Sequence, residues 1–368
     1  MIQGNILTDE GWIRGRVTVE AGRIAGIDGV AEQPDANGDV YVLPGFIDLH
    51  VHGGGGVDVM DGADGIAVIA RTHAQHGTTS FLATTMTAPQ EELLRVVTSV
   101  WQSARERSSG GARVLGIHLE GPYINPGKLG AQPDAVSLAV LEDVLAYLDV
   151  APVRVITIAP EMSGHLEIIR ELSARGVRVQ LGHTLGSYEE GVAALEHGAK
   201  GFTHLFNAMS PLHHRHPGMV GAALAHAEYA EIIPDLLHVH PGAIHAALRA
   251  IPGLYVVTDG TASTGMPDGE YHLGSQKVHK CLGGVRLEDG TLAGSALTMD
   301  QALRNLISLG LPLEEVSARL SRYAADYLGI TERGRLKAGV WADMVVLDRE
   351  YRLTATYVEG DNIVAHAS

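Results

Sequence analysis

The chain has 368 residues and a formal net charge of −16, an acidic balance that argues against nucleic acid as a partner. Hydrophobic residues make up 45%, which suits one large domain with a small appendage. The single cysteine, Cys281, argues against a disulfide scaffold and favours a reducing compartment. The sequence shows no signal-peptide pattern and no membrane span, so we expect a cytoplasmic protein that does not engage a membrane.

The first 42 residues predict short strands separated by turns. Arg16–Val19 and Arg23–Ile27 flank a turn at Glu20–Gly22, and the stretch Pro34–Gly38 has the composition of a loop. This segment is too short to close a hydrophobic core alone, so it needs a partner from elsewhere in the chain.

The middle of the chain alternates short apolar strands with amphipathic helical stretches. Glu91–Ala104 and Thr298–Leu309 carry apolar residues at helical spacing. The predicted strands are Phe46–His50, Thr79–Thr84, Val114–Leu119, Val153–Ile158, Val177–Leu181, Gly201–Leu205, Ala230–Leu237 and Tyr255–Thr258. Eight such units predict an α/β fold, a (β/α)8 TIM barrel over residues 44–334, with an open doubly wound sheet as the alternative.

The C-terminal segment resembles the N-terminal one in its pattern. Asp343–Leu347 and Leu353–Val358 alternate polar and apolar residues between turn residues. We therefore expect residues 1–43 and 335–368 to pair into one small β-sandwich domain beside the barrel.

Histidines and carboxylates stand where the predicted strands end. They are His50, His52, Glu120, His183, His204, His238 and Asp259. In a barrel the C-terminal strand ends meet at one mouth, where active sites are built. Residues that are distant in sequence would therefore be neighbours in space.

These residue types suit a divalent ion such as zinc, iron or manganese. A bound ion activates water, and an aspartate beside it can take the proton of that water and pass it to a leaving amine. The set predicts metal-assisted hydrolysis of an amide or related C–N bond. Each residue also has a simpler explanation: His50 and His52 as buried packing residues, Glu120 as a turn cap, Asp259 as an Asp-Gly turn residue.

The remaining polar features are less specific. The loop after the sixth strand contains Arg215, a natural anion clamp because its guanidinium offers two parallel donors. Its neighbours His213, His214 and His216 are interpreted as solvated. The following histidines are expected to be surface or packing residues: His165, His197, His226, His245, His272, His279 and His366.

Several motifs resemble those of the N-acetylglucosamine-6-phosphate deacetylases of the amidohydrolase superfamily. The resemblance covers nearly the whole chain, and its last part is a Gly339–Asp348 segment typical of the returning β-domain. The matching motifs are Pro44-Gly45-Phe46-Ile47-Asp48, His118-Leu119-Glu120-Gly121-Pro122, Gly182-His183-Thr184 and His204-Leu205-Phe206-Asn207-Ala208-Met209. The second and fourth motifs are the specific ones.

The resemblance implies a role for each matching position. Glu120, His183 and His204 would hold the primary metal, and Asp259 would act as general base and then acid. His50 and His52 make a second metal, bridged by Glu120, plausible. The expected contacts to an amino-sugar phosphate come from Ala131, Gln132, Asn207, Ala208, Arg215, His238, Leu292, Ala293 and Gly294. The family also implies one or two divalent metals per subunit and a homodimer.

One position departs from the family pattern. Many relatives carry a histidine that polarises the acetyl carbonyl, where this chain has Gln132 in Gly130-Ala131-Gln132-Pro133. Glutamine can donate a hydrogen bond but carries no charge. The rivals that remain are an N-acetylgalactosamine-6-phosphate deacetylase, a deaminase or cyclic amidase, and a non-catalytic sugar-phosphate sensor.

Overall fold

The N-terminal part of the chain forms four strands. The computed structural model describes residues 2–34 and 40–365, so most of the predicted Pro34–Gly38 loop and His366 lie outside the described residues. The strands are β1 (Ile2–Thr8), β2 (Gly11–Glu20), β3 (Arg23–Ala31) and β4 (Tyr41–Pro44). β2 and β3 pair antiparallel with Glu20 opposite Arg23, as the predicted turn requires.

Each of the eight strands predicted for the middle of the chain has an observed counterpart. The strands of this region are β5 (Phe46–Val51), β6 (Gly53–Gly54), β7 (Val57–Asp58), β8 (Thr78–Thr84), β9 (Arg113–Glu120), β10 (Val153–Ile158), β11 (Arg178–Leu181), β12 (Gly201–Phe202), β13 (Tyr229–Ile232) and β14 (Gly253–Val256). The sixth and seventh predicted strands were too long at their C-terminal ends. The backbone there leaves the extended region, with φ of 30° at His204 and 65° at Leu236.

Six of these strands form a parallel sheet in the order β12-β11-β10-β9-β8-β5, and β13 and β14 form a parallel pair. Backbone hydrogen bonds on both sides connect the pair with the sheet. Leu205 N donates to Glu231 O at 2.9 Å, and Asp259 N donates to His50 O at 3.0 Å. The sheet is therefore curled like part of a barrel. Such sheets are covered on both faces, and all seven residues of β8 are buried accordingly.

Helices connect the parallel strands and cover the sheet. They are α1 (Ala63–Ala74), α2 (Gln90–Ala104), α3 (Leu141–Val150), α4 (His165–Ala174), α5 (Tyr188–Glu196), α6 (Gly218–His226), α7 (Pro241–Ala250), α8 (Met299–Ser308), α9 (Leu313–Leu320) and α10 (Arg322–Leu328). Both helices predicted from apolar spacing are present, as α2 and α8. In α8 the buried side chains are Met299, Ala302, Leu303 and Leu306, on one face. None of the described helices is long and apolar enough to cross a membrane.

β6 and β7 form a short antiparallel pair of their own, and two further sheets lie beside the parallel strands. Their strands are β15 (Gly269–Leu273), β16 (Gln276–Cys281), β17 (Gly284–Arg286), β18 (Leu292–Ser295), β19 (Met344–Leu347), β20 (Leu353–Val358) and β21 (Asp361–Ala365). β15 to β18 form an antiparallel sheet that was not predicted from the sequence. β19 to β21 join β1 to β4 in one seven-stranded sheet, in which Met344 of β19 lies opposite Pro44 of β4. The two chain ends therefore pair, as expected.

Candidate metal centre and active site

Six of the seven histidines and carboxylates predicted at strand ends lie together in the structure. His50 and His52 come from β5, Glu120 ends β9, His183 and His204 follow β11 and β12, and Asp259 follows β14. The exposure of all six is at most 7%. His50 and His52 are two residues apart on one strand, so their side chains point to the same face.

The first group of donor atoms consists of Glu120, His183 and His204. His183 Nε2 and His204 Nε2 are 3.1 Å apart, and they lie 3.2 and 3.1 Å from Glu120 Oε1. His183 Nδ1 donates to the backbone oxygen of Lys128 at 2.8 Å. A carbonyl only accepts, so in the neutral ring the proton sits on Nδ1 and the Nε2 lone pair faces the other two donors.

The second group consists of His50, His52 and Asp259. The two Nε2 atoms are 3.1 Å apart and lie 3.4 and 3.3 Å from Asp259 Oδ1. His52 Nδ1 donates to the backbone oxygen of Thr84, so the Nε2 lone pair faces the other two atoms of this group. The other oxygen of Glu120, Oε2, lies 3.4 Å from His50 Nε2 and 3.1 Å from His52 Nε2. The Glu120 carboxylate therefore stands between the two groups.

Both groups fit a divalent cation. In each, buried imidazole and carboxylate atoms converge within 4.8 Å of one another, which is the donor chemistry of zinc and of iron. Two imidazole nitrogens 3.1 Å apart repel each other unless a cation or a proton lies between them. The residues present therefore match a centre of one or two metals.

The electrostatics of the site agree with this arrangement. Burial alone would raise the pKa of Asp259, but the charge of His50 and the hydrogen bond of His52 lower it to about 2. Burial opposes a charged His52, and the bonds to Asp259 and Glu120 outweigh it and raise the His52 pKa to about 9. The carboxylates of Asp259 and Glu120 thus stabilise a positive charge at His52 although the site is buried.

Three of these residues have strained backbones. His183, His204 and Asp259 have φ of 48°, 30° and 53°, in the left-handed region that side-chain-bearing residues rarely occupy. Such conformations cost about 1–3 kcal/mol each and cluster at functional sites. All three residues follow the end of a strand and line the same cavity.

A cavity of about 350 Å³ is lined by residues of both groups of donor atoms, which are called the metal groups below. It brings together most of the sequence-predicted site residues, namely His52, Glu120, Ala131, Gln132, His183, His204, Asn207, Ala208, His238, Asp259, Leu292 and Gly294. Lys128 also lines it. His50 lies fully buried behind His52. Leu292 and Gly294 come from β18, so the unpredicted antiparallel sheet forms one wall.

Two predicted substrate contacts lie elsewhere. Ala293 is buried and packs in the apolar cluster with Met86, Leu273 and Val278. Arg215 is exposed on its loop, where Nη1 bonds His214 Nε2 at 2.7 Å, and it lines a separate groove with Leu185.

Gln132 is held in one orientation. Its Oε1 accepts from the Thr87 backbone N–H at 2.7 Å, and its Nε2 donates to Glu120 Oε2 at 2.7 Å. The backbone N–H is only a donor, so the amide cannot be reversed. The residue that departs from the family pattern therefore fixes the carboxylate between the two metal groups.

His238, which also lines the cavity, is paired with an acid. Its Nδ1 lies 2.7 Å from Asp235 Oδ2, which leaves Nε2 without that partner. Burial lowers the pKa of His238, and the bond to Asp235 outweighs it and raises that pKa. The bond to Asp235 therefore favours the charged form of His238, and a charged imidazole in the cavity wall would suit an anionic substrate group.

The comparisons with known proteins agree with the geometry. A model of the amidohydrolase family matches residues 41–365. The chain belongs to the amidohydrolase family. It is 40% identical over 360 residues to the N-acetylglucosamine-6-phosphate deacetylase of Vibrio furnissii, covering 94% of this chain and 89% of the relative. This amidohydrolase is also 38% identical to the N-acetylgalactosamine-6-phosphate deacetylase of Escherichia coli O157:H7, over 96% of each chain.

A solved structure supports the same relationship. A mutant N-acetyl-D-glucosamine-6-phosphate deacetylase from Mycobacterium smegmatis, in complex with N-acetyl-D-glucosamine 6-phosphate, superposes with a TM-score of 0.90 at 33% identity. The match covers 99% of this amidohydrolase and 98% of the other chain. The family resemblance inferred from the sequence motifs is confirmed.

Sequence reasoning missed two residues beside the metal groups. Glu231 on β13 is fully buried, and its Oε2 lies 3.0 Å from His50 Nδ1. His118 on β9 is also buried and packs edge-on against the His50 ring. A charged residue inside the apolar run Tyr229–Ile232 was the available signal for Glu231.

Proposed function

We propose that this chain hydrolyses the acetamido group of N-acetyl-D-glucosamine 6-phosphate to D-glucosamine 6-phosphate and acetate. The observation that carries the proposal is the pair of buried donor groups joined by Glu120, with Asp259 beside them at the cavity. The similarity to deacetylases over nearly the whole chain supports the substrate class.

Glu120, His183 and His204 would hold the primary cation, and His50, His52 and Asp259 a second one. Zinc or iron suits these donors best, with manganese as the third choice. A divalent ion there supplies Lewis-acid chemistry, making water a nucleophile near neutral pH and polarising the amide carbonyl.

The residues of the chain perform the proton transfers and the positioning. The Asp259 carboxylate takes a proton as the water oxygen bonds to the acetyl carbon. It then gives that proton to the nitrogen as the C–N bond breaks. Gln132 uses one Nε2 hydrogen to bond Glu120, and the other would donate to the carbonyl oxygen.

The substrate would be oriented by the cavity walls. Asn207, Ala208, Leu292 and Gly294 would face the sugar, and His238 would contact the phosphate. Arg215 remains the proposed phosphate clamp, and its surface position means that a neighbouring subunit or a loop movement must bring it to the cavity. We also propose a homodimer in the cytoplasm, a closed eight-stranded barrel over residues 44–334, and a sandwich-like domain from residues 1–43 and 335–368.

The galactosamine epimer is the second candidate substrate, because a relative with 38% identity carries that name. The two sugars differ in the orientation of one hydroxyl group.

Metal removal tests the metal dependence of the proposed reaction. Chelated protein should lose deacetylation and regain it when zinc, iron or manganese is restored. Full turnover by metal-free protein would contradict the proposal.

A further inference from the structure

A row of buried polar side chains crosses the interior of the sheet beneath the metal groups. Each comes from a different strand or its end, and each is fully buried. We call this row the polar belt, and its members are His118, Thr157, Gln180, Thr203, Glu231 and Tyr255. Buried polar groups are costly unless they are hydrogen-bonded, so such a row needs a reason.

The first half of the polar belt has a defined hydrogen-bond direction. Thr203 Oγ1 donates to Gln180 Oε1 at 2.9 Å, because an amide oxygen only accepts. The 2.7 Å contact between Thr157 Oγ1 and Thr203 Oγ1 then takes its hydrogen from Thr157. His118 Nε2 lies 2.8 Å from Thr157 Oγ1, and the tautomer of the ring decides which of these two atoms donates.

The second half runs in the same direction and ends on a carboxylate. Gln180 Nε2 donates to the Tyr255 hydroxyl at 2.7 Å, and that hydroxyl donates to Glu231 Oε1 at 3.4 Å. The other oxygen, Glu231 Oε2, accepts from the backbone N–H of His204 at 3.1 Å. It also lies 3.0 Å from His50 Nδ1.

The contact between Glu231 and His50 fixes the tautomer of the His50 ring. A carboxylate accepts and does not donate, so His50 carries its hydrogen on Nδ1. Its Nε2 lone pair then faces His52 Nε2 and Asp259 Oδ1, at 3.1 and 3.4 Å. Carboxylates behind metal-binding histidines orient the ring and raise its basicity in this way.

We propose that Glu231 is a positioning residue that fixes the tautomer and orientation of His50 and thereby builds the second cation subsite, formed by His50, His52 and Asp259. The inference rests on the proposed metal-dependent function. The bond to the His204 backbone ties the same carboxylate to a strand end of the first subsite.

A cation between His50, His118 and Glu231 would be the alternative use of Glu231, since their donor atoms also lie close together. Other contacts occupy the ring nitrogens of His118, while His50 and Glu231 are joined by their own hydrogen bond. His118 Nδ1 lies 3.2 Å from the backbone oxygen of Leu49 and its Nε2 contacts Thr157, so both ring nitrogens are engaged.

The test is a zinc titration of chelated wild-type protein and of Glu231→Gln, with thermal melting and deacetylation measured on the reloaded samples. Wild type should bind two equivalents. Glu231→Gln should keep the first and bind the second about 10–100-fold more weakly. The kcat should fall at low zinc and recover at high zinc, while KM stays near the wild-type value.

Glu359→Gln is the control, because it neutralises a half-buried carboxylate that does not line the cavity. It should leave both zinc affinities unchanged, although it lowers the melting temperature. Glu231→Asp keeps the charge but shortens the side chain, so it should also weaken the binding of the second zinc equivalent. It replaces Glu231→Gln as the test variant if that protein fails to fold.

Wild-type zinc affinities in the Glu231 variants would overturn the inference, as would a single zinc equivalent in wild type. Absence of deacetylation by fully loaded wild type would instead count against the proposed function, whatever the titration shows.

Discussion

At the scale of single residues, the proposed chemistry depends first on Asp259. Asp259→Asn keeps the shape of the side chain but cannot take a proton, so kcat should fall about 10²–10⁴-fold. The measurement is the rate of acetate release at saturating substrate. Asp289→Asn, at an exposed turn, is the matched control and should behave as wild type. A variant Asp259→Asn with the kcat of wild type would exclude Asp259 as the proton carrier.

The phosphate contact gives a second prediction at this scale. Arg215→Ala should raise KM for the phosphorylated substrate about 10-fold or more, because charge-assisted bonds contribute roughly 1.5–3 kcal/mol. The kcat should change little, and the rate measured with unphosphorylated N-acetylglucosamine should be the same as for wild type. If KM is unaffected, the phosphate must be bound by groups that line the cavity within one chain, such as Lys128 and His238.

The residues of the site differ in how far sequence could predict them. His50, His52, Glu120, His183, His204 and Asp259 were predictable because each stands at the end of an apolar strand. Glu231 lies inside its strand, and nothing in the sequence shows that its carboxylate reaches a histidine 181 positions away. The position of Arg215 relative to the cavity depends on a loop conformation that residue type does not determine.

At the scale of elements, β18 is held tightly against the end of β14. Gly294 has φ of 57°, and a Cβ there would lie 2.6 Å from Thr261 Cγ2 and 3.0 Å from the backbone oxygen of Asp259. Gly294→Ala should therefore displace Asp259, lower kcat and destabilise the fold by about 1–3 kcal/mol.

Gly283→Ala provides the comparison for that prediction. Gly283 also has a positive φ, of 80°, but no atom lies within 4 Å of the point that a Cβ would occupy. This substitution should lower the melting temperature slightly and leave kcat unchanged. Equal kcat values for the two variants would show that the contact with Asp259 has no catalytic consequence.

The elements themselves were largely predictable, with informative exceptions. The parallel strands and α2 and α8 follow from hydrophobic periodicity, which local sequence carries. The ends of β12 and β13 were placed too late, since apolar residues such as Leu205 and Leu236 continue past the point where the backbone turns. β15 to β18 pair mainly with one another at the edge of the cavity, and their polar, glycine-rich sequence carries little strand signal.

At the scale of the whole molecule, a charge cluster joins the terminal sheet to the central sheet. Glu359, directly after β20, accepts from Arg113 of β9 at 2.8 and 2.9 Å and from Arg107 at 3.2 Å. It also contacts Arg333, which pairs in turn with Asp343. Burial raises the pKa of Glu359, but the bonds from Arg113 and Arg333 outweigh it and lower that pKa to about 2.

This cluster predicts a pH dependence of stability. Because the folded pKa lies below the ordinary value of 4.5, the stabilisation is fully present above that value. It is lost as the pH falls toward 2. Glu359→Gln should reduce the free energy of unfolding by about 2 kcal/mol near neutral pH, and the difference from wild type should shrink below about pH 4. Denaturant unfolding at several pH values measures it, and a difference that is constant with pH would contradict the assignment.

The central claim is tested most directly by acetate release from N-acetylglucosamine 6-phosphate, measured beside the galactosamine epimer and unphosphorylated N-acetylglucosamine with the metal-loaded protein. We predict strong, chelator-sensitive turnover of the phosphorylated glucosamine substrate and little of the unphosphorylated sugar. Preference for the epimer would reassign the substrate while keeping the chemistry. No acetate from any of the three, with zinc, iron or manganese, would contradict the deacetylase function and direct attention to Gln132.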